Sequence, residues 1–260
     1  MRTLLALLIA PAVVAAASGY QQWRAEYEKS LRAPEGWLSV AGLSWLHEGA
    51  NTVELPPGAG KHSITLQLKG KTASYEGRLL KSDATEHPDV LDFNGVTVMI
   101  IERGGKTGVR LRNPNAETRR DFTGCKWFPV DDAWRINAKW VPYAKPKPIA
   151  ITNILGMTDQ EPAPGYAEFS VKGQTLRLEP VLEDNELFFM FKDATNSSTT
   201  YGAGRFLYAA VPKGNRVELD FNKAHNPPCA FTAYATCPLP PRQNVLTVAI
   251  PAGEKRYASH

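Results

Sequence analysis

The chain has 260 residues, of which 43 % are hydrophobic, and its formal net charge at pH 7 is +4. That length is enough to bury a sizeable core in one domain or in two small ones. The excess of positive charge is too mild to indicate a nucleic-acid partner, which would need a clustered basic surface.

The stretch "MRTLLALLIAPAVVAAASGY" has the pattern of a secretory signal peptide. Arg2 supplies a positive start, residues 4–14 are an apolar run, and residues 15–17 are small alanines at a cleavage position. The run falls short of the ~18 residues that a spanning helix needs, and an uncleaved anchor is the alternative. We therefore predict a signal peptide over 1–17, a periplasmic or secreted protein, and no transmembrane segment after cleavage.

The stretch "YQQWRAEYEKSLRAP" predicts an amphipathic helix. Trp23, Tyr27 and Leu31 repeat every four residues, which places them on one face of such a helix. Pro34 and Gly36 mark its end.

After Gly36 the pattern changes to short β-rich runs separated by Gly, Pro and Asn. Two hairpins are indicated by "VTVMIIERGGKTGVRLR" and "YAEFSVKGQTLRLEPVL", and the other predicted strands are "HSITLQL", "ELFFMF", "RFLYAAV", "RVELDF" and "VLTVAI". Many such runs are typical of antiparallel architectures. We predict a mainly β fold, an antiparallel β-sandwich or open barrel, with one N-terminal amphipathic helix.

The segment "WVPYAKPKPIAI" alternates prolines with lysines. Proline fixes φ and restricts the residue before it, so we expect this segment to be extended. It is either a linker or a crossing strand. Because predicted strands continue on both sides, we favour a single β-rich domain over 18–260, with a possible break near 142–148.

The segment "TYGAGRFLY" places Gly202 and Gly204 before Arg205, at the start of a predicted strand, and Arg177 lies in the nearby "LRLEP". Backbone N–H groups that glycine leaves accessible, together with a guanidinium, suit a carboxylate or a phosphate. The alternative is a β-bulge or a tight turn. The third glycine and following helix of a dinucleotide-binding fingerprint are both missing.

The segment "NPPCAFTAYATCPLPP" holds two of the three cysteines, Cys229 and Cys237. An exported chain meets an oxidising compartment, which makes this pair a disulfide candidate. Two unpaired buried thiols are the alternative, because sequence does not determine connectivity. Their spacing is too wide for the tight ligand pair of structural zinc, so we predict no metal and no cofactor.

The preceding "DFNKAHNPP" adds Asp220, Asn222 and Asn226. Polar groups beside proline-stiffened backbone are typical of turns, and equally of the wall of a ligand pocket. Tyr201 and Tyr234 are the aromatic candidates for the same wall.

The quoted segments "TYGAGRFLYA", "LRLEPVL", "ELFFMFKDAT" and "DFNKAHNPPCAFTAYATCPLPPRQN" resemble the bacterial family catalogued as domain of unknown function 1684. "GWLSVAGLSWL" and "DFTGCKWFPV" are similar to the same family, so the resemblance covers nearly the whole mature chain. The resemblance points to positions in the chain but implies no reaction, since the family has no established activity. His225 stands where the resemblance leads us to expect an aromatic residue.

Our preferred hypothesis is binding of a small polar or anionic molecule. Its pocket would lie between the Gly-Ala-Gly-Arg strand start and the Asn-Pro-Pro-Cys loop, with Arg205 and Arg177 supplying charge. One alternative is an envelope-associated hydrolase that uses Asp220 or Cys229. Another is a structural or interaction protein of the cell envelope. No nucleic-acid partner is expected, and the sequence does not indicate an oligomeric state.

Overall fold

The computed structural model describes residues 11–257, with side chains from residue 19 onward. The first ten residues of the predicted signal peptide lie outside this range, so that interpretation stays a prediction. Within residues 11–257 no helix is both long and apolar enough to cross a membrane.

The predicted N-terminal helix is confirmed as α1, Pro11–Arg32. Trp23 and Tyr27, one turn apart, stack with their ring centroids 5.7 Å apart. Leu31 is buried in an apolar cluster with Leu38, Phe122 and Phe231. The second helix is the single turn α2, Glu117–Arg120. Short 3-10 turns lie at Trp37–Ser39, Asp132–Trp134, Phe221–Lys223, Pro228–Ala230 and Arg242–Asn244.

The predicted mainly β, antiparallel fold is also confirmed, because every strand pairing within the sheets is antiparallel. Four sheets form, with strand orders β1-β8-β7-β6, β2-β3-β4-β5, β11-β10-β9-β15 and β12-β13-β14. The strands are β1 Val40–Trp45, β2 Gly49–Glu54, β3 Ser63–Lys69, β4 Thr72–Tyr75, β5 Arg78–Leu80, β6 Val90–Phe93, β7 Val96–Arg103, β8 Lys106–Arg112, β9 Arg135–Thr152, β10 Thr158–Val171, β11 Gln174–Leu178, β12 Val181–Glu183, β13 Glu186–Phe191, β14 Arg205–Ala210 and β15 Arg216–Asp220.

The first two sheets pack face to face over a shared apolar core. Ile64, Leu66 and Leu68 of β3 face Val109 and Leu111 of β8 in this cluster. Since side chains alternate between the two faces of a strand, the arginines at 110 and 112 of β8 point to the opposite face. That face turns toward the C-terminal half of the chain.

The central strand of the three-stranded sheet, β13, is buried on both faces. Leu187 and Phe189 of β13 pack into the core of the β11-β10-β9-β15 sheet, whereas Phe188 and Met190 pack into another apolar cluster. A strand covered on both faces has no polar positions to alternate with, which explains the unbroken apolar run "LFFMF" at residues 187–191.

The prediction of a strand at "VLTVAI" is wrong. Leu246, Val248 and Ile250 are buried at alternate positions, and Leu246 and Val248 hydrogen-bond through the backbone to Lys192 and Ala194, yet the pairing amounts to one isolated parallel bridge, from Val245 to Lys192. Alternation indicates an extended chain with one buried side, but a strand also needs a partner edge along its length. The proline-rich segment 142–148, by contrast, lies inside β9 and pairs with β10.

Candidate functional site

A cavity of about 440 Å³ opens where α1, the outer face of β14 and the loop from His225 to Pro238 meet. This volume is within the range of small-molecule sites. Its lining residues come from both halves of the chain: Tyr27, Ser30, Leu31, Trp37, Arg103, Glu183, Phe188, Phe206, Tyr208, His225, Asn226, Pro228, Thr236, Cys237 and Pro238.

Three stacked rings form one wall of the cavity. Phe188 and Tyr208 are direct cross-strand partners in β13 and β14, and their rings are nearly parallel with centroids 4.7 Å apart. The ring of His225 lies on Tyr208 at 6.0 Å and an angle of 9°. His225 is held there by two 2.9 Å backbone hydrogen bonds exchanged with Phe206. The wall is therefore fixed by a sheet register rather than by a mobile loop.

The hydrogen-bond partner of Nδ1 determines the tautomer of His225. Its Nδ1 lies 3.1 Å from the carbonyl oxygen of Lys223. A carbonyl only accepts, so the neutral ring carries its proton on Nδ1 and leaves a lone pair on Nε2. Burial lowers the pKa of His225 to about 4, against the smaller opposing effect of the Lys223 carbonyl. The imidazole is thus neutral at physiological pH.

Glu183, Tyr208 and Arg103 add polar groups to the lining. The Tyr208 hydroxyl donates to Glu183 Oε2 at 2.5 Å. Burial, and then the bond to Glu183, raise the pKa of Tyr208, so its hydroxyl stays protonated. Arg103 forms a two-pronged pair with Asp83, with N–O distances of 3.0 and 2.7 Å.

A buried carboxyl supports the cavity from behind. Glu254 Oε2 accepts from the backbone N–H of Asn226 at 2.7 Å and from the Tyr27 hydroxyl at 3.4 Å. Burial raises the pKa of Glu254 to about 7. Gly253 makes this approach possible, since its φ is +75° and a Cβ there would lie 2.3 Å from the Ala224 carbonyl oxygen.

The structure places Arg205 away from this cavity, in the interior. Its side chain is fully buried and pairs with Asp193 at 2.5 Å, and it also donates to the carbonyls of Ile250 and Ala252. Gly204 has φ +114°, and a Cβ there would lie 2.5 Å from Pro240 Cγ. The observed contacts of both residues are therefore internal.

Other predicted site residues are also dispersed. Arg177 lies on β11, where it pairs with Glu168 and is largely exposed. Gly202 lies against Ser197, and the Tyr201 hydroxyl donates to the Cys229 carbonyl at 3.1 Å.

Asp220, Asn222 and Asn226 are buried, whereas Tyr234 is 42 % exposed. Asp220 accepts from the Tyr20 hydroxyl at 2.9 Å and from Asn222. Among the predicted ligand-binding residues, Asn226 lies in the lining of the cavity. Its Nδ2 donates to the Lys255 carbonyl, while its Oδ1 is enclosed without a partner among the described residues.

Cys229 and Cys237 lie next to each other as free thiols. The backbone N–H of Cys229 donates to Cys237 Sγ at 3.1 Å, and that of Cys237 donates to Cys229 Sγ at 3.4 Å. This reciprocal arrangement brings the sulfurs into each other's neighbourhood. The disulfide stays a prediction.

We expect the pair to be oxidised in protein exported to an oxidising compartment. Alkylation of the unfolded protein without reductant should then label Cys125 alone, and labelling after reduction should reach all three cysteines. Intact mass measures the count. A Cys229→Ser variant should show two labels without reductant. Three labels on unreduced wild-type protein would contradict the disulfide.

Sequence reasoning missed Arg103, Arg110 and Tyr208. Each sits in an ordinary strand pattern, and nothing local distinguishes these positions from solvated ones. The quoted Asn-Pro-Pro-Cys segment was the one usable signal, since Pro228 and Cys237 do line the cavity.

An uncharacterized protein from Haloarcula marismortui, solved by NMR in solution, is 28 % identical to this chain. The match covers 55 % of this chain and 81 % of that one, with a TM-score of 0.46. Comparison with curated proteins produced no match. A family model described as a protein of unknown function, DUF1684, matches residues 120–255, and the chain therefore belongs to that family.

Proposed function

We propose that this protein binds a small polar or anionic molecule in the cavity between α1, β14 and the Asn-Pro-Pro-Cys loop. The observation that carries the proposal is a cavity of about 440 Å³ with a preformed aromatic wall and a few convergent polar groups. Small-molecule sites generally combine an apolar lining with few, well-placed hydrogen-bonding groups.

The chemistry of the wall favours a ligand with a flat or apolar part. The stacked rings of Phe188, Tyr208 and His225 offer an extended aromatic surface. The His225 Nε2 lone pair can accept a hydrogen bond from a ligand N–H or O–H. Because the rings are held by strand pairing and backbone bonds, little ordering is needed on binding.

A hydrolase that uses Asp220 or Cys229 stays an untested alternative, as does a structural envelope protein. Asp220 is engaged by Tyr20 and Asn222, and Cys229 by Cys237. The export expected from the first 17 residues would place any of these functions in the envelope or outside the cell.

Blocking the mouth of the cavity tests the proposal. Ser30 is an exposed residue of α1 that lines the cavity, and its neighbour Lys29 does not line it. We expect a small aromatic compound found by protein-observed NMR screening to lose at least about tenfold in affinity in Ser30→Trp. Lys29→Trp should change the affinity less than about twofold. Equal effects of the two substitutions would contradict the proposed site.

A further inference from the structure

Arg110 is a buried cation on β8. It lies on the face of that strand that is turned away from the core between the two N-terminal sheets and toward the cavity. Its residue is 3 % exposed, and its strand neighbours in register are Leu43 and Met99. Val109 and Leu111, which precede and follow Arg110 in the chain, are buried in the apolar core between the two N-terminal sheets. The side chain therefore extends from the opposite face of β8, toward the C-terminal half.

The guanidinium has no hydrogen-bond acceptor among residues 11–257. Nε and Nη2 are enclosed without a partner, whereas Nη1 is not fully enclosed. The nearby carboxylate of Asp83 is already held by both terminal nitrogens of Arg103. The contact that Arg110 does make is with the ring of Trp37, whose centroid lies 4.9 Å from its Cζ.

A buried charge without a partner is unfavourable, so proteins pair such groups or use them to bind an ion. Burial, and after it the positive charges of the nearby Arg103 and Arg112, lower the pKa of Arg110 to about 10. The group nevertheless stays charged at neutral pH. Three arginines close together strengthen the positive potential at this point.

Residues that line the cavity surround Arg110. Trp37 covers its guanidinium, Arg103 lies on the neighbouring strand, and Cys237 is near Arg110 as a neutral thiol. Arg110 thus stands directly behind the part of the wall formed by these three residues.

We propose that Arg110 is the anion-binding group of this cavity, and that the ligand carries a carboxylate or a phosphate next to its apolar part. This inference rests on the proposed function, which it narrows. Nη1, the guanidinium nitrogen that is not fully enclosed, can donate a charge-assisted hydrogen bond to either anion, and such bonds are strongest where water is excluded. The aromatic wall receives the rest of the molecule.

The test compares three probes that share an aromatic ring: benzoate, phenyl phosphate and neutral benzyl alcohol. Affinities are measured by NMR titration at constant ionic strength for wild-type protein, Arg110→Met and Arg110→Lys. Met keeps the length of the apolar stem without its charge, and Lys keeps the charge. Thermal unfolding of the ligand-free variants checks folding, and Arg110→Met should be at least as stable as wild type, because it removes an unpaired buried charge.

We expect wild-type protein to bind at least one of the two anions at least tenfold more tightly than benzyl alcohol. Whichever anion binds more tightly identifies the headgroup. Arg110→Met should abolish that preference without weakening benzyl alcohol binding, and Arg110→Lys should retain most of it. A preference that survives in Arg110→Met, or a wild-type protein that binds benzyl alcohol as well as both anions, would overturn the Arg110 proposal alone. If wild-type protein binds none of the probes, the proposed function itself is contradicted and this inference falls with it.

Discussion

Replacing Arg205 with methionine should lower the free energy of unfolding by about 3–5 kcal/mol, the range found when one partner of a buried ion pair is removed. Arg205 and Asp193 are both fully buried, with 2.5 Å between Nη2 and Oδ2. The substitution leaves the Asp193 carboxylate enclosed without its cation. Urea-induced unfolding, followed by circular dichroism, measures the change.

Arg177→Met is the matched control for this experiment. Arg177 also pairs with a carboxylate, that of Glu168 at 2.8 Å, but its side chain is 61 % exposed. Exposed pairs contribute about 0–1 kcal/mol, so the control should stay within about 1 kcal/mol of wild type. If Arg205→Met is as stable as Arg177→Met, the interior pair does not have the structural role that we assign to it.

Replacing Glu254 with glutamine should stabilise the protein at high pH and leave it nearly unchanged near pH 4.5. The folded carboxyl has a pKa of about 7 against an ordinary value of 4.5, because it is buried. Between these values the folded state holds a proton that the unfolded state has released, so stability falls as pH rises. A difference of about 2.5 units corresponds to about 3 kcal/mol at pH 8. Glutamine stays neutral and avoids this loss.

The titration of His225 has the opposite effect on stability over nearly the same pH range. Its folded pKa is about 4 against an ordinary 6.5, again because of burial. The unfolded state therefore binds the extra proton between these values, and stability rises with pH. In Glu254→Gln, which lacks the opposing effect of Glu254, the stability should therefore rise with pH. In His225→Phe, which lacks the effect of His225, the stability should fall with pH because of Glu254.

Unfolding curves at half-unit steps from pH 4 to 8 check both slopes. Tyr27 and Cys125, which lie beside Glu254, both have pKa values raised by burial, so they stay neutral across this range. A stability difference between Glu254→Gln and wild type that is independent of pH would refute the assignment. Phenylalanine at 225 retains an aromatic ring in the stack on Tyr208.

Much of the secondary structure follows from local patterns. The four-residue spacing of Trp23, Tyr27 and Leu31 predicts α1, and the run around "RGGK" predicts the hairpin of β7 and β8. Such patterns depend on neighbours within a few positions, which the sequence shows directly. The strand prediction at "VLTVAI" was wrong because the alternating pattern specifies an extended chain but does not indicate whether the edge of another strand lies beside it.

The candidate site was much less predictable. Arg205 follows two glycines, which made it a ligand candidate, whereas Arg110 lies in "VRLR" within a predicted strand and has no local feature that singles it out. The structure gives Arg205 a carboxylate twelve positions away and gives Arg110 none among the described residues. Nothing in either local sequence distinguishes these two environments.

The amino-acid sequence by itself determined the mainly β class, the N-terminal helix, the principal hairpins and the family resemblance. Only the tertiary structure decided which charges are neutralised and which groups line the cavity. The reason is distance along the chain: Tyr27 and Glu254, which support the cavity together, are 227 positions apart. Period and spacing describe the arrangement of neighbours, whereas a binding site depends on contacts that only folding brings about.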